Sequence, residues 1–157
     1  MEIIRLESKN NEAFRKICDW YYEWIGMKKG QSRELIEATM SHSLCTGTKM
    51  PQTFVAMIDN QPAGMYQIAV ADDLESRPDL YPWLINVYVD ESCRGRGVFR
   101  AMMQTVEDNA REIGLKELYL FTKHVGLYEK FGWEFVEHVD TFREDSRIER
   151  LYRLTVS

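Results

Sequence analysis

The chain has only three cysteines, Cys18, Cys45 and Cys93, odd in number, scattered and without a CxxC spacing. That scarcity excludes a disulfide scaffold and makes a reducing compartment the default. Basic residues are in short supply too: 20 Lys and Arg against 25 Asp and Glu give a formal net charge of −5 and a pI of about 5.3. Non-specific nucleic-acid binding needs a basic face, so no nucleic-acid partner is expected. No apolar run approaches the ~20 residues of a membrane span. The opening "MEIIRLESKN" lacks the basic start and apolar stretch of a signal peptide. The expectation is a soluble, cytoplasmic protein with no membrane partner. His42, His124 and His138 have no metal-ligand spacing with one another or with the cysteines, so no metal is expected.

What is present fits one domain over residues 1–157, with 45% apolar and 29% charged residues. "EIIRL" reads as an opening strand. "NEAFRKICDWYYEWIG" carries Phe14, Ile17, Tyr21 and Trp24 at helical spacing, with Gly26 to stop it. "SRELIEATMSHSLC" starts at Ser32, a plausible N-cap, and runs Leu35, Ile36, Met40 and Leu44 along one side. "QTFVAMI" and "AGMYQIAV" read as strands joined by "DNQP", where Asn60 tolerates left-handed geometry. After the polar loop "DDLESRPDLYP", the strand "WLINVYVD" puts Val87 and Val89 on one face and Asn86 and Tyr88 on the other. A helix comes next, to about Gly114, with Val98, Met102, Val106, Ala110 and Ile113 as its apolar stripe. "KELYLFT" is a strand, "GLYEKF" a short helix, and "WEFVEHVDTF" and "RIERLYRLTV" are closing strands. The strand–helix–strand order over residues 84–121 implies a right-handed crossover between parallel neighbours. The fold class is mixed α/β.

The chemistry concentrates in "ESCRGRGVFRAMM". A glycine-rich turn feeding a helix exposes main-chain N–H groups without helical partners, and the helix dipole favours an anion there. Gly95 and Gly97 let a ligand come close to the backbone, and Arg94 and Arg96 add charge. An ordinary capped turn fits the same residues equally well. Neither a Walker A loop nor a dinucleotide-binding GxGxxG is present.

"INVYVDESCRGRGVFRAMM" and "LYEKFGWEFV" together resemble the GNAT superfamily of acyl-CoA-dependent N-acetyltransferases. The first is similar to its strand–turn–helix segment with the [RQ]xxGx[GA] signature, at Arg94 to Phe99. The second is similar to its "LYxKxGF" segment, with Trp133 in the aromatic position. The resemblance covers nearly the whole chain and is anchored over roughly residues 84 to 136. It implies a central mixed sheet of about seven strands with helices on both faces. It also implies acetyl transfer from acetyl-CoA to a primary amine by direct attack. In it, Arg94, Gly95, Arg96, Gly97, Val98 and Phe99 would hold the coenzyme A pyrophosphate. The main chain of Val87, Tyr88 and Val89 would pair with the pantetheine arm. Tyr128, a phenol whose ordinary pKa is about 10, would protonate the leaving thiolate. Two departures stand out: Phe99 replaces the usual Gly or Ala, and "FTKHVGLY" lacks the Asn many relatives place before the tyrosine.

An ammonium substrate must lose a proton before it attacks, so a carboxylate or ordered water is expected on the acceptor side. Asp72, Asp73, Glu75 and Asp79 lie in the loop before the central strand; Asn86 and Tyr88 either line the acceptor pocket or serve the core. The acceptor stays open among small amines, peptide N-termini and protein lysines. A homodimer fits the resemblance, and a non-catalytic acyl-CoA sensor is the alternative reading.

Overall fold

The computed structural model describes residues 1–157. Strands β1 (Glu2–Leu6), β2 (Gln52–Ile58), β3 (Gln61–Ala69), β4 (Trp83–Val89), β5 (Glu117–Thr122), β6 (Glu134–Asp140) and β7 (Ile148–Thr155) make one mixed sheet. Its order is β1-β2-β3-β4-β5-β7-β6, antiparallel throughout except for the parallel β4–β5 pair. Helices α1 (Glu12–Tyr21) and α2 (Arg33–Ser41) precede β2, and α3 (Val98–Ile113) makes the crossover from β4 to β5.

Local chemistry accounts for most boundaries. The Ser32 hydroxyl accepts from the Leu35 N–H at 3.1 Å and Asn11 caps α1 through the Ala13 N–H at 2.9 Å. Asp59 and Asn60 both take positive φ, 49° and 63°, in the tight β2–β3 turn. Gly114, at φ 94°, ends α3. All of the expected α3 stripe is buried, with Met103 added.

The two sheet faces have separate cores. On one, α3 packs Val98, Met102, Val106 and Ala110 against Phe54, Tyr66, Ile68, Leu84, Leu118 and Leu120. On the other, α1 and α2 pack Phe14, Ile17, Trp20, Ile36 and Met40 against Leu6, Val55 and Met65. Beyond α2 this second face is covered by the β3–β4 loop, whose Leu74 sits with Trp83, Tyr119 and Leu151. No helix is long and apolar enough to cross a membrane.

Some expectations are corrected. The first helix changes to a π-helical turn at Tyr22–Gly26, so Trp24 leaves the stripe and Trp20 takes the buried place. Leu35 is exposed and only Ile36 and Met40 are buried in α2. The short helix before β6 is a single 3-10 turn, Tyr128–Phe131.

Gly64 of β3 permits close packing of β3 against β4 and α3. A Cβ there would stand 2.8 Å from the Tyr88 carbonyl oxygen and 3.0 Å from Val98 Cγ1. Backbone cannot yield as a side-chain tip can, so Gly64→Ala should destabilise by about 1–3 kcal/mol. Urea unfolding checks this; an unchanged midpoint would show that β3 and α3 separate freely.

Candidate active site

The parallel strands β4 and β5 meet at one register pair only, Trp83 with Tyr119, supported by the Tyr119 N–H on the Pro82 oxygen at 3.0 Å. Past that point they part, while each stays paired on its far side, β4 to β3 and β5 to β7. The Asp90 N–H reaches back to the Ala63 oxygen at 2.9 Å. Strand alternation therefore turns the main-chain groups of Val89, and of Val87 two residues earlier, into the gap. The Val89 oxygen does meet a donor from that side, Arg94 Nε at 3.1 Å.

A bulge precedes these residues. Asn86 has φ 52°, and the pairing shifts there, so that Tyr66 of β3 faces two residues of β4. The extra residue re-aims the rest of the strand: Val87 and Val89 pack toward α3, and Tyr88 toward α1. Asn86 shares the α1/α2 face through Gln67, so the expected face sharing of Asn86 with Tyr88 holds. Trp20 and Trp24 lie 5.4 and 5.2 Å from the Tyr88 ring, centroid to centroid. No sequence signal beyond an Asn inside an apolar strand pointed to the bulge.

The turn after β4 leaves a run of main-chain amides open. Gly95 and Gly97 have φ 78° and 79°, and a Cβ on either would meet nothing within 4 Å. Their use is therefore backbone geometry and open approach rather than packing. The first α3 amide to close a bond is that of Ala101, on the Gly97 oxygen at 3.0 Å. The N–H groups of Gly95, Arg96, Gly97, Val98, Phe99 and Arg100 have no acceptor in the protein, and α3 has no side-chain N-cap. Val98 is buried beneath the turn; Arg96 and Arg100 are exposed. Arg94 folds back over β4, its guanidinium 5.9 Å from the Tyr88 ring centroid.

Phe99 does not project into that opening. Its ring stands edge-on to Tyr128 at 5.5 Å and to Phe131 at 5.7 Å, half-buried against the α3-face core. Tyr128 is buried, with Trp133 and Tyr152 as its other aromatic neighbours. Its hydroxyl has no partner in the protein, and loss of solvent pushes its pKa up to about 12. Thr122, near the missing Asn, is used locally: its hydroxyl accepts from the His124 N–H at 3.2 Å.

The four acidic loop residues separate clearly. Asp79 forms a two-point pair with Arg77 at 3.0 Å, an ion pair on the surface. Asp73 lies 3.4 Å from Lys29, and Glu75 is exposed. Asp72 alone is enclosed, near Tyr21, Lys29 and Arg143, and burial raises its pKa to about 6 despite the two cations. Groups on three connections thus act on it electrostatically or are acted on by it: the end of α1, the β3–β4 loop and the β6–β7 loop. Cys18 is pushed up to about 12 by burial and two carboxylates, which leaves it unreactive. No three His, Cys, Asp or Glu side chains are grouped as metal ligands would be.

The profile of the Acetyltransferase (GNAT) family matches residues 11–133. The chain belongs to that family. No curated protein matches its sequence significantly. Among solved structures, an aminoglycoside 6'-acetyltransferase type Ii superposes with a TM-score of 0.73 at 14% identity, covering 100% of this chain and 98% of that one. An aminoglycoside 6'-N-acetyltransferase complexed with coenzyme A gives 0.71 at 13% identity, with 100% and 98% covered. The ribosomal-protein-S18-alanine N-acetyltransferase from Escherichia coli gives 0.65 at 17%, with 99% and 94% covered. At these identities the superpositions establish the GNAT fold. Family membership supports acyl-CoA-dependent acetyl transfer as the general activity.

The Asp72 shift has a sign that can be checked. Its folded-state pKa is raised from 3.8 to about 6, so the protonated form favours the fold. That contribution is full below 3.8 and lost as pH rises through about 6. Asp72→Asn should therefore raise the melting temperature at pH 7.5 and leave it unchanged at pH 3.5. An equal change at both values would show that burial of this charge is not the cause.

Proposed function

We propose that the protein transfers an acetyl group from acetyl-CoA to a primary amine at the gap between β4 and β5. The observation that carries the reading is the run of unpartnered amides from Gly95 to Arg100 beside the outward-facing main chain of Val87 and Val89. The turn takes the pyrophosphate, and the β4 edge pairs with the amide-bearing pantetheine arm. A thioester carbonyl held along that edge lies where a β4 N–H, that of Val89, supports the oxyanion.

The amine enters on the α1/α2 face. Asp72 takes its proton directly or through water, since a carboxyl at about 6 is ionised at neutral pH yet more basic than an ordinary aspartate. The nitrogen lone pair then attacks the carbonyl; as the tetrahedral intermediate collapses, the nitrogen loses its second proton to water, the C–S bond breaks and coenzyme A leaves as the thiolate. Tyr128 serves the leaving sulfur. With the phenol at about 12, transfer of its proton to a solvated thiolate is uphill, an ordinary thiol being near ~8.5. Its help is a hydrogen bond that strengthens as charge builds on sulfur. Phe99 packs edge-on against the Tyr128 ring and so helps to hold it in place.

The acceptor is a small molecule or a peptide amine; protein acetyl-acceptors are not required. The structural neighbours include acetyltransferases named for aminoglycosides and for a ribosomal protein's alanine. Calorimetric titration with coenzyme A and a thiol-release assay over an amine library test the two halves of the reading. Binding without release under any amine would leave the acyl-CoA sensor.

Gly97→Val should weaken coenzyme A binding at least ~10-fold without unfolding the protein, because the added side chain enters open space but forbids φ 79°. Parent-like affinity would remove the turn as the pyrophosphate site. Binding by the parent should also weaken as salt rises.

Tyr128→Phe keeps the ring packing and removes one hydrogen bond to a developing charge. Single-turnover rates should fall roughly 10- to 100-fold, with acetyl-CoA affinity little changed. Asp72→Asn should also slow turnover and, unlike Tyr128→Phe, abolish the rise in rate through about pH 6. A rate unchanged by Tyr128→Phe in a folded protein ends its catalytic assignment.

A further inference from the structure

The shape of the β4 main chain is restrained at Asn86 by side chains of β2 and β3. Asn86 is a left-handed residue inside a strand, a conformation that persists only where the surroundings impose it. The restraint is visible. Asn86 Nδ2 donates to Gln67 Oε1 at 2.7 Å; Gln67 Nε2 donates to Thr53 Oγ1 at 2.9 Å; the Thr53 hydroxyl donates to the Ser43 oxygen at 2.7 Å. Gln67 and Thr53 are 1% and 0% exposed, so no water competes.

The chain has one direction. The Thr53 hydroxyl has a single proton, which goes to Ser43, so it can only accept from Gln67. That turns the Gln67 oxygen toward Asn86 and fixes which end of the Asn86 carboxamide is bound. Met40 Sδ, at 3.5 Å, closes the remaining side of Gln67 Nε2. The last link is anchored in the connection after α2, so the strand's irregularity is tied to the helical layer as well as to β2 and β3.

The consequence reaches the gap. A strand slipped by one residue turns every later side chain and main-chain group to the other side. Without the bulge, Val87 and Val89 would point their N–H groups back at β3 rather than toward β5.

We propose that Gln67 is a positioning residue for acyl transfer: its carboxamide holds Asn86 in the left-handed bulge that sets the main chain of Val87 to Val89. This rests on the proposed function, because those main-chain groups are the ones assigned there to the acyl donor.

The test uses Gln67→Met, which keeps length and approximate volume and removes the hydrogen bonds to Asn86 and Thr53. Hydrogen exchange at the Tyr88 and Asp90 amides, which face β3 just past the bulge, should accelerate about tenfold or more, and turnover should fall by a similar factor. Glycine takes positive φ without help. In an Asn86→Gly background, Gln67→Met should therefore add nothing to either measurement. Equal costs in both backgrounds, or no cost in the parent, overturn the proposal. If Gln67→Met does not fold, Thr53→Val breaks the next link and is compared in the same two backgrounds. The exchange readout needs no turnover. Coupled exchange in a protein that acetylates no amine would end the enzyme reading and leave the role of Gln67 in the bulge standing.

Discussion

A sheet with a gap in its middle has to satisfy, or leave open, the main-chain groups along that gap. Here β4 and β5 part after one register pair, yet neither frays, because each is fully paired on its other side. α3 packs against residues of both strands, Leu84 of β4 and Leu118 and Leu120 of β5, so it holds the wedge while bridging it. The N–H and C=O groups of β4 that face away from β3 are then a fixed array of donors and acceptors rather than a mobile edge. An extended, amide-bearing ligand matches such an array as a missing strand would. The turn, the bulge and both helical layers matter to function through this one break in the ladder.

Net charge and local charge point in opposite directions, and the local term decides. A chain at −5 repels anions at long range, but that field is screened over about a Debye length, ~8–10 Å. At the turn, six successive N–H groups from Gly95 to Arg100 have no acceptor in the protein, and the start of a 16-residue helix adds its dipole. Arg94 contributes less than its position in the motif implied, because its Nε is committed to the Val89 oxygen. Its hydrogen bond instead steadies the outward-facing carbonyl. Arg96 and Arg100 keep exposed guanidinium groups at the rim.

The features legible in the sequence are those that depend on short-range pattern. The α3 stripe, the Ser32 cap and the Asn60 turn each come from residue types within a few positions, and all are present. The glycines at 95 and 97 were legible as backbone positions because little else requires Gly-x-Gly before a helix. The bulge at Asn86 was not, since its cause is Gln67, 19 residues away, with Thr53 and Ser43 behind it. Pairing of that range is invisible to periodicity. The partial burial of Asp72 was equally hidden: four acidic residues in one loop look alike until the fold takes one of them out of solvent. Phe99 violated the motif by composition, and the reason lies in a cluster with Tyr128 and Phe131 that only the tertiary fold assembles.

The two groups assigned to proton chemistry lie on opposite faces of the sheet, and the gap is what makes that arrangement workable. Tyr128 belongs to the α3-face core, and Asp72 to the β3–β4 loop on the α1/α2 face. Burial raises both pKa values, to about 12 and about 6, but with opposite results. The phenol stays protonated at neutral pH and can only donate; the carboxyl stays ionised above about 6 and can only accept. An intact β4–β5 ladder would keep donor and acceptor chemistry on separate sides of a continuous wall. With the ladder open past Trp83 and Tyr119, a carbonyl lying against β4 is reachable by an amine from one face. Its sulfur can then depart toward the other. In the proposed reading, the direction of transfer is therefore a property of the sheet, set before either reactant binds.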